Sequence, residues 1–304
     1  MNVSRTVAFT NTPLGHLELH HFASALCEKL ANKKLINKWL NPFWFSLLIS
    51  LSVVHAQEAI DVERDPVERD PVEQDTHADT QYEFYFTRGV YSDDFAVGDD
   101  LGGSWSIDYP KADRHFLLAL ERLSIIDTAS DENAVKLTDP ELRNRPFIYA
   151  LEVGAMQLND GEVDALRRYL LAGGFLLIDD FWGSWAWENL VEQMQRVFPD
   201  REIEEVPPGH PLFHTVYDIN EIKQIPNKSN GISFDRRGIT HENDGTQAHV
   251  RGIFDEEDRL MVVINWNTDL GDAWEWADHP DYPSHFSTYA VMLGVNIVVY
   301  AMTH

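Results

Sequence analysis

The sequence predicts an α/β domain of the doubly wound kind, with a mainly parallel sheet covered by helices on both faces. Three observations carry that expectation. From Gln81 onward, short apolar runs alternate with segments whose apolar residues recur at helical spacing. The run Phe175–Ile178 is apolar at every position, as a strand is when both faces of its sheet are covered. The stretch from Gln81 to His304 is roughly 220 residues long, a size that one core can serve.

The elements follow in order. Tyr82–Thr87 (YEFYFT) reads as a first strand, aromatic and apolar. Ala112–Leu123 sets Phe116, Leu117, Leu120 and Leu123 on one helical face, with Asp113 near the N-terminus, where the helix dipole favours an acid. Pro146–Val153 reads as a second strand. Asn159-Asp160-Gly161-Glu162 then opens a helix that is apolar at Val163, Leu166, Tyr169 and Leu170 and ends at Gly173-Gly174. After the third strand, Phe175–Ile178, come a helix over Ala186–Phe198 and a strand over Glu202–Val206. Ala248–Trp266 reads as two strands turning at Glu256–Asp258, and Ser287–Met302 as a terminal helix. Asn220–Thr246 is too long and polar for an ordinary connection, so it is a functional loop or a mobile insertion.

The residues ahead of this domain read differently. Lys33, Lys34 and Lys38 precede the apolar run Pro42–Val54, and Val54-His55-Ala56 offers small residues before Gln57. That is the pattern of a secretory signal peptide cleaved after Ala56, and the run is short of the roughly 20 residues that span a bilayer. The expectation is export to the periplasm or beyond, with residues 1–56 removed and no transmembrane helix in the mature protein. The stretch before Lys33 is longer than such a leader needs, which a start codon set too far upstream explains. Cys27, the one cysteine, lies inside that leader. A mature chain without it has no disulfide, no zinc–thiolate site and no thiol nucleophile. Residues 57–80 contain the repeat VERDP-VERDP-VEQDT, charged, Pro-punctuated and free of aromatics, which reads as a disordered acidic tether.

The chain carries a net charge of −26. Loss of the leader removes more bases than acids and makes the mature chain more acidic still. Such a surface repels nucleic acid and anionic lipid and suits cations, neutral ligands such as sugars, or a basic protein partner of the cell envelope. It is equally what solubility asks of an exported protein.

In open α/β sheets, ligands bind beyond the carboxyl ends of the strands. Strand one is followed by Thr87-Arg88-Gly89 with Tyr91, Asp93 and Asp94, strand two by Glu152 and Gly154, strand three by Asp179, Asp180 and Trp182. Leu260–Ile264 leads into Asn265, Trp266, Asn267, Asp269, Asp272 and Glu275. The expected crevice is lined by Arg88, Asp94, Asp179, Asp180, Asn267 and Asp269, with Trp105, Trp182, Trp266 or Trp274 as walls. Strand ends are polar in any protein. The nine tryptophans, six of them within 182–187 and 266–276, add weight to a stacking surface. Gly102-Gly103-Ser104-Trp105 lacks the lysine of a phosphate loop and reads as a flexible loop over the crevice. His210 and His214 flank Pro211, which disfavours joint ligation of a metal. If a metal binds, the carboxylates favour calcium or magnesium over zinc.

These motifs, in the order Tyr85-Phe86-Thr87-Arg88-Gly89, Gly173-Gly174-Phe175-Leu176-Leu177-Ile178-Asp179-Asp180, His210-Pro211-Leu212-Phe213, Asn267-Thr268-Asp269-Leu270-Gly271-Asp272 and Leu293-Gly294-Val295-Asn296, resemble the bacterial DUF4159 family over roughly Gln81 to His304. The family is similar in turn to the class I glutamine amidotransferase-like, or flavodoxin-like, proteins close to the ThuA-like group. That resemblance implies a flavodoxin-like fold and brings His210 into the expected ligand-binding set. It also places Asp179-Asp180-Phe181 where amidotransferases of the superfamily carry their cysteine, so amide transfer by a thiol is excluded. The expected function is an exported binding module of the cell envelope, for a small neutral ligand or a protein partner. The alternative is a hydrolase acting on a sugar or peptide, with one of Asp179 and Asp180 as base or nucleophile and the other held protonated by repulsion. Neighbours on a strand point to opposite faces, so the two share a site only if the strand has ended at Asp179.

Overall fold

The computed structural model describes residues 82–93 and 103–304. The expected leader, its cleavage site, Cys27, the acidic tether, Gly102 and Asp94 lie outside the described residues.

Seven strands build one sheet: β1 (Thr87–Val90), β2 (Asn133–Lys136), β3 (Phe147–Leu151), β4 (Phe175–Asp179), β5 (Glu204–Glu205), β6 (His249–Phe254) and β7 (Leu260–Trp266). Their order is β2-β1-β3-β4-β7-β6-β5. The strands from β2 to β7 run parallel, whereas β6 pairs antiparallel with β7 and β5 with β6. The five parallel strands, ranked along the chain, stand 2-1-3-4-5, consistent with a flavodoxin-like fold, and the order reverses between β1 and β3.

Alternate residues of the central strands feed two separate cores, which is the physical content of double winding. Phe147, Tyr149, Phe175, Leu177 and Val263 face one layer, built from α1 (Lys111–Leu123), α6 (Leu270–Glu275) and α7 (Ser284–Thr303). Ile148, Ala150, Leu176, Ile178, Val262 and Ile264 face the other, built from α2 (Asp160–Leu171) and α3 (Gly183–Val197). Asn159 and Glu162 close a capping box at the start of α2, and Gly173, at φ 104°, turns the chain into β4. Helix α7 is long and apolar enough to cross a membrane by composition alone, yet Leu293, Ile297, Val298 and Tyr300 sit inside the domain core.

Several expectations shift. The first ladder begins at Thr87, because Phe84 and Phe86 enter the core beneath the sheet before regular pairing starts. Strand β2 was not expected: of its four residues only Val135 is buried. Helix α3 begins at Gly183, three residues earlier than its apolar spacing suggests, and β5 shrinks to two residues. The 220–246 segment is ordered, with α4 (Lys228–Ile232) and α5 (Phe234–Arg237).

Candidate functional site

The sharp exits of the parallel strands converge at the carboxyl end of the sheet, where the crevice was expected, and Asp180 and Asp269 are buried there. Glu152 follows β3, Asp180 follows β4, Asn267 follows β7, and Asp108 precedes α1 on the long connection from β1. All four hold left-handed backbone, at φ 54°, 50°, 61° and 60°. Such conformations cost non-glycine residues about 1–3 kcal/mol each and persist only where surroundings impose them. Here the turns are laced together: Glu152 N–H donates to the Asp180 carbonyl at 3.0 Å, Asp180 N–H to the Thr268 carbonyl at 3.1 Å and Asn267 N–H to the Phe181 carbonyl at 3.1 Å.

The result is a concentration of carboxyl groups. Oxygens of Asp108, Asp180 and Asp269 lie within 4.8 Å of one another, and Asp108, Asp272 and Glu275 form a second such group. None of these acids makes a salt bridge among the described residues. Asp108 Oδ2 is buried without a hydrogen-bond partner. Burial, reinforced by Asp272 and Glu275, pushes the Asp108 carboxyl up to about 8. Burial, with Glu242 and Asp272, pushes Glu152 to about 7. Asp180 and Asp269 are driven well above the usual aspartate range, first by burial and then by the neighbouring acids. Three carboxylates whose oxygens converge in this way are of the chemical type that a hard divalent cation takes.

The adjacent aspartates do not form a pair. Asp179 is the last residue of β4, and its side chain turns toward the α1/α6/α7 layer, whereas Asp180 sits in the left-handed turn. Asp179 Oδ2 accepts from the Tyr149 hydroxyl at 2.9 Å and from the backbone N–H groups of Leu270 and Gly271 at 2.8 and 3.2 Å. Its carboxyl, pushed up to about 7 by burial against those hydrogen bonds, anchors the start of α6. It thereby positions Asp272 and Glu275. Asp180 keeps one oxygen for Trp182 Nε1, at 3.1 Å.

Arg88, expected to line the crevice, is fully buried. It pairs with Asp113 at 2.6 Å and donates to the Trp105 and Ile107 carbonyls at 3.0 and 2.9 Å. It fixes the turn that presents Asp108, and Asp113 serves this pair as well as the dipole of α1. Trp105, Trp182 and Trp274 are buried too, so they are packing rather than open walls. Trp266 is half-buried, stacked on His249 and packed at a tilt against Trp187. Asn267 spends its amide on structure: Oδ1 accepts from Gly183 N–H at 2.8 Å and Nδ2 donates to the Gln247 carbonyl at 2.7 Å. Asp269 belongs to the cluster, its Oδ1 accepting from Asp272 N–H at 2.6 Å. His210 lies away from the crevice, beside Phe254 and Tyr300 near the amino end of β7. There its Nδ1 accepts from Leu212 N–H at 3.2 Å. Gly103 opens an ordered 3-10 turn, Ser104–Ser106.

The 220–246 segment forms a side of the crevice. Gln224 Nε2 donates to the Gly245 and Asn267 carbonyls at 2.8 and 3.1 Å, Ile225 N–H to Thr268 Oγ1 at 3.0 Å and Lys228 N–H to Asp272 Oδ2 at 2.6 Å. Asp244 caps α3 through Ser184 N–H at 2.9 Å. Lys111 and Lys228 stand over the Trp276 ring at 4.1 and 3.3 Å, bringing positive charge to the Glu275 side. Asp108 was missed in the sequence because the long connection separates it from β1. Its one local signal is an acid just ahead of a helix.

Compared with models of known families, residues 93–302 match that of DUF4159, a domain of unknown function. Comparison with curated proteins found no match.

Proposed function

The chain belongs to the DUF4159 family, and on that footing we propose that its domain is an exported binding module of the cell envelope that uses the acidic crevice to hold a hard divalent cation and, through it, a neutral ligand. The observation that carries this reading is the convergence of Asp108, Asp180 and Asp269 within 4.8 Å, with no salt bridge to any of them among the described residues. Calcium takes six to eight oxygen ligands, so a cation held by these three side chains keeps positions for hydroxyl or carbonyl groups of a second molecule. The leader-like run Pro42–Val54 and the acidic repeat support export and display on a tether.

Support for a class I glutamine amidotransferase-like framework, close to the ThuA-like proteins, comes from Asp180. It occupies a left-handed turn between β4 and α3, the strand–turn–helix geometry of a nucleophile elbow, with a carboxylate in place of the thiol. One observation favours the second reading, a carboxylate-dependent hydrolase. Glu152, held near neutrality at about 7, adjoins Asp180, so one acid can carry a proton while another lacks it.

Calorimetric titration of the purified protein with calcium and with magnesium at neutral pH tests the first reading. The expected result is saturable binding by one of them at about 10⁻⁴–10⁻³ M, as in extracellular modules, with protons released and affinity lost in Asp180→Asn. Absence of binding, or binding unchanged by Asp180→Asn, overturns it. Turnover of sugar or peptide substrates in EDTA, lost in Asp180→Asn, would establish the hydrolase instead.

A further inference from the structure

A hollow lies on the α2 side of the sheet, running from the turn after β2 to the amino-terminal ends of β3 and β4. It has a volume of about 630 Å³ and sits between the 3-10 turn Pro140–Asn144, the last turn of α2 and the Gly173-Gly174 turn. That is within the size range of small-molecule sites. Its lining inverts the charge of the rest of the molecule. Arg143, Arg145 and Arg168 face one carboxylate, Asp139, in a chain with 50 acidic and 24 basic residues.

The arginines of this domain mostly find acids. Arg88, Arg114, Arg196, Arg201, Arg251 and Arg259 each pair with one. Arg143 and Arg168 make no side-chain hydrogen bond or ion pair among the described residues, although carboxylates outnumber bases two to one. Arg145 is held in place: its side chain is 11% exposed, it pairs with Glu141, and its guanidinium lies 4.1 Å from the Tyr85 ring centroid. Its Nε is nonetheless buried with no acceptor. A buried donor left unmade is costly, and it marks Arg145 as a side chain whose own neighbours do not use all of its donors.

The end of α2 would ordinarily oppose an anion, because unpaired carbonyls gather there. In this protein Arg259 takes up the carbonyls of Leu170 and Gly174 at 2.9 and 3.3 Å. Leu137, Leu142 and the Tyr169 ring supply apolar surface for the body of a ligand. Guanidinium forks match carboxylate and phosphate oxygens two at a time, which a lysine does not. We propose that this hollow is a binding site for an acidic small molecule, with an oxyanion, carboxylate or phosphate, held by Arg143, Arg145 and Arg168. The site is separate from the crevice and independent of its role.

Calorimetric titration with citrate, glucose 6-phosphate and glucose, at constant ionic strength, tests this. The expected result is saturable binding of citrate or glucose 6-phosphate, whichever oxyanion the site prefers, and none of glucose. The Arg143→Gln/Arg168→Gln variant should bind at least tenfold more weakly while melting like the parent, since both side chains are exposed. Arg143→Lys/Arg168→Lys should recover only part of the affinity. Asp180→Asn should bind the anion as the parent does, which separates this site from the cation crevice. If neither anion binds, if glucose binds as well as its phosphate, or if the double glutamine variant keeps full affinity, the proposal is overturned.

Discussion

Asp180→Asn should stabilise the cation-free protein, and by an amount that depends on pH. The substitution keeps an acceptor for Trp182 Nε1 and removes one charge from the cluster. At the 4.8 Å separation that bounds Asp108, Asp180 and Asp269, one ionised pair at an effective dielectric of 20 repels by about 3.5 kcal/mol. The acids respond by holding protons, Asp108 up to about 8 and Glu152 to about 7. Folded-state values above the unfolded ones mean that the native protein binds more protons between roughly pH 4 and pH 8, so stability must fall as pH rises through that window. Relaxation and shared protons reduce the repulsive cost, and about 2–3 kcal/mol is the gain expected for Asp180→Asn at pH 8. For a domain of this size that is about 5–10 °C in Tm. Near pH 4, where the parent acids are already neutral, the gain should vanish. Melting curves in EDTA across pH 4–8 measure this, with Asp235→Asn, an exposed acid of α5, as the control for net charge. A parent Tm that is flat across that range, or an Asp180→Asn effect of the same size at both ends, refutes the electrostatic reasoning.

The neighbouring substitution should behave in the opposite sense. Asp179→Asn disturbs the acceptor for Tyr149 Oη and two N–H groups of α6, so a loss of about 1–3 kcal/mol by urea denaturation is expected. Equal effects of Asp179→Asn and Asp180→Asn would contradict the separation of their roles. Arg88→Met leaves Asp113 buried and unpaired and should cost about 3–5 kcal/mol, whereas Arg88→Met combined with Asp113→Leu should recover much of it. Urea denaturation of the single and double variants decides whether the pair is structural, as its burial implies.

What the sequence made legible is what local pattern encodes. Strands β3, β4 and β7 announce themselves as apolar runs, and α1, α2 and α3 through their helical spacing, because each buries a contiguous face, whereas β6 (HVRGIF) shows only as the first arm of a hairpin with β7. Strand β2 escaped notice since an edge strand with one buried residue, Val135, carries almost no apolar signal. The strand-end rule singled out Asp180 and Asp269, and the structure brings these two together with Asp108. The same rule misplaced Arg88, because a basic residue beside a strand end looks solvated unless one knows that Asp113, 25 positions away, folds onto it. Asp108 joins the cluster only through tertiary structure, and the separation of Asp179 from Asp180 rests on a single backbone angle, φ 50° at Asp180.

The crevice depends on a division of labour among its polar residues. Arg88 pins the turn before Asp108, Asp179 pins α6 behind Asp272 and Glu275, and Asn267 pins the start of α3 beside Asp180. Each of these residues has its hydrogen bonds largely satisfied within the protein. The acids they position form no ion pairs among the described residues and repel one another. A fold that spends several buried polar groups on holding like charges together accepts a cost that burial alone does not recover. Below neutral pH protons offset that repulsion, since the carboxyls of Asp108 and Glu152 still hold theirs up to about 8 and about 7. Above it, either the crevice remains a source of instability or something cationic replaces the proton. The proposed cation role and the pH dependence of stability are therefore two readings of one electrostatic fact, and a protein insensitive to both pH and divalent cations would lack it.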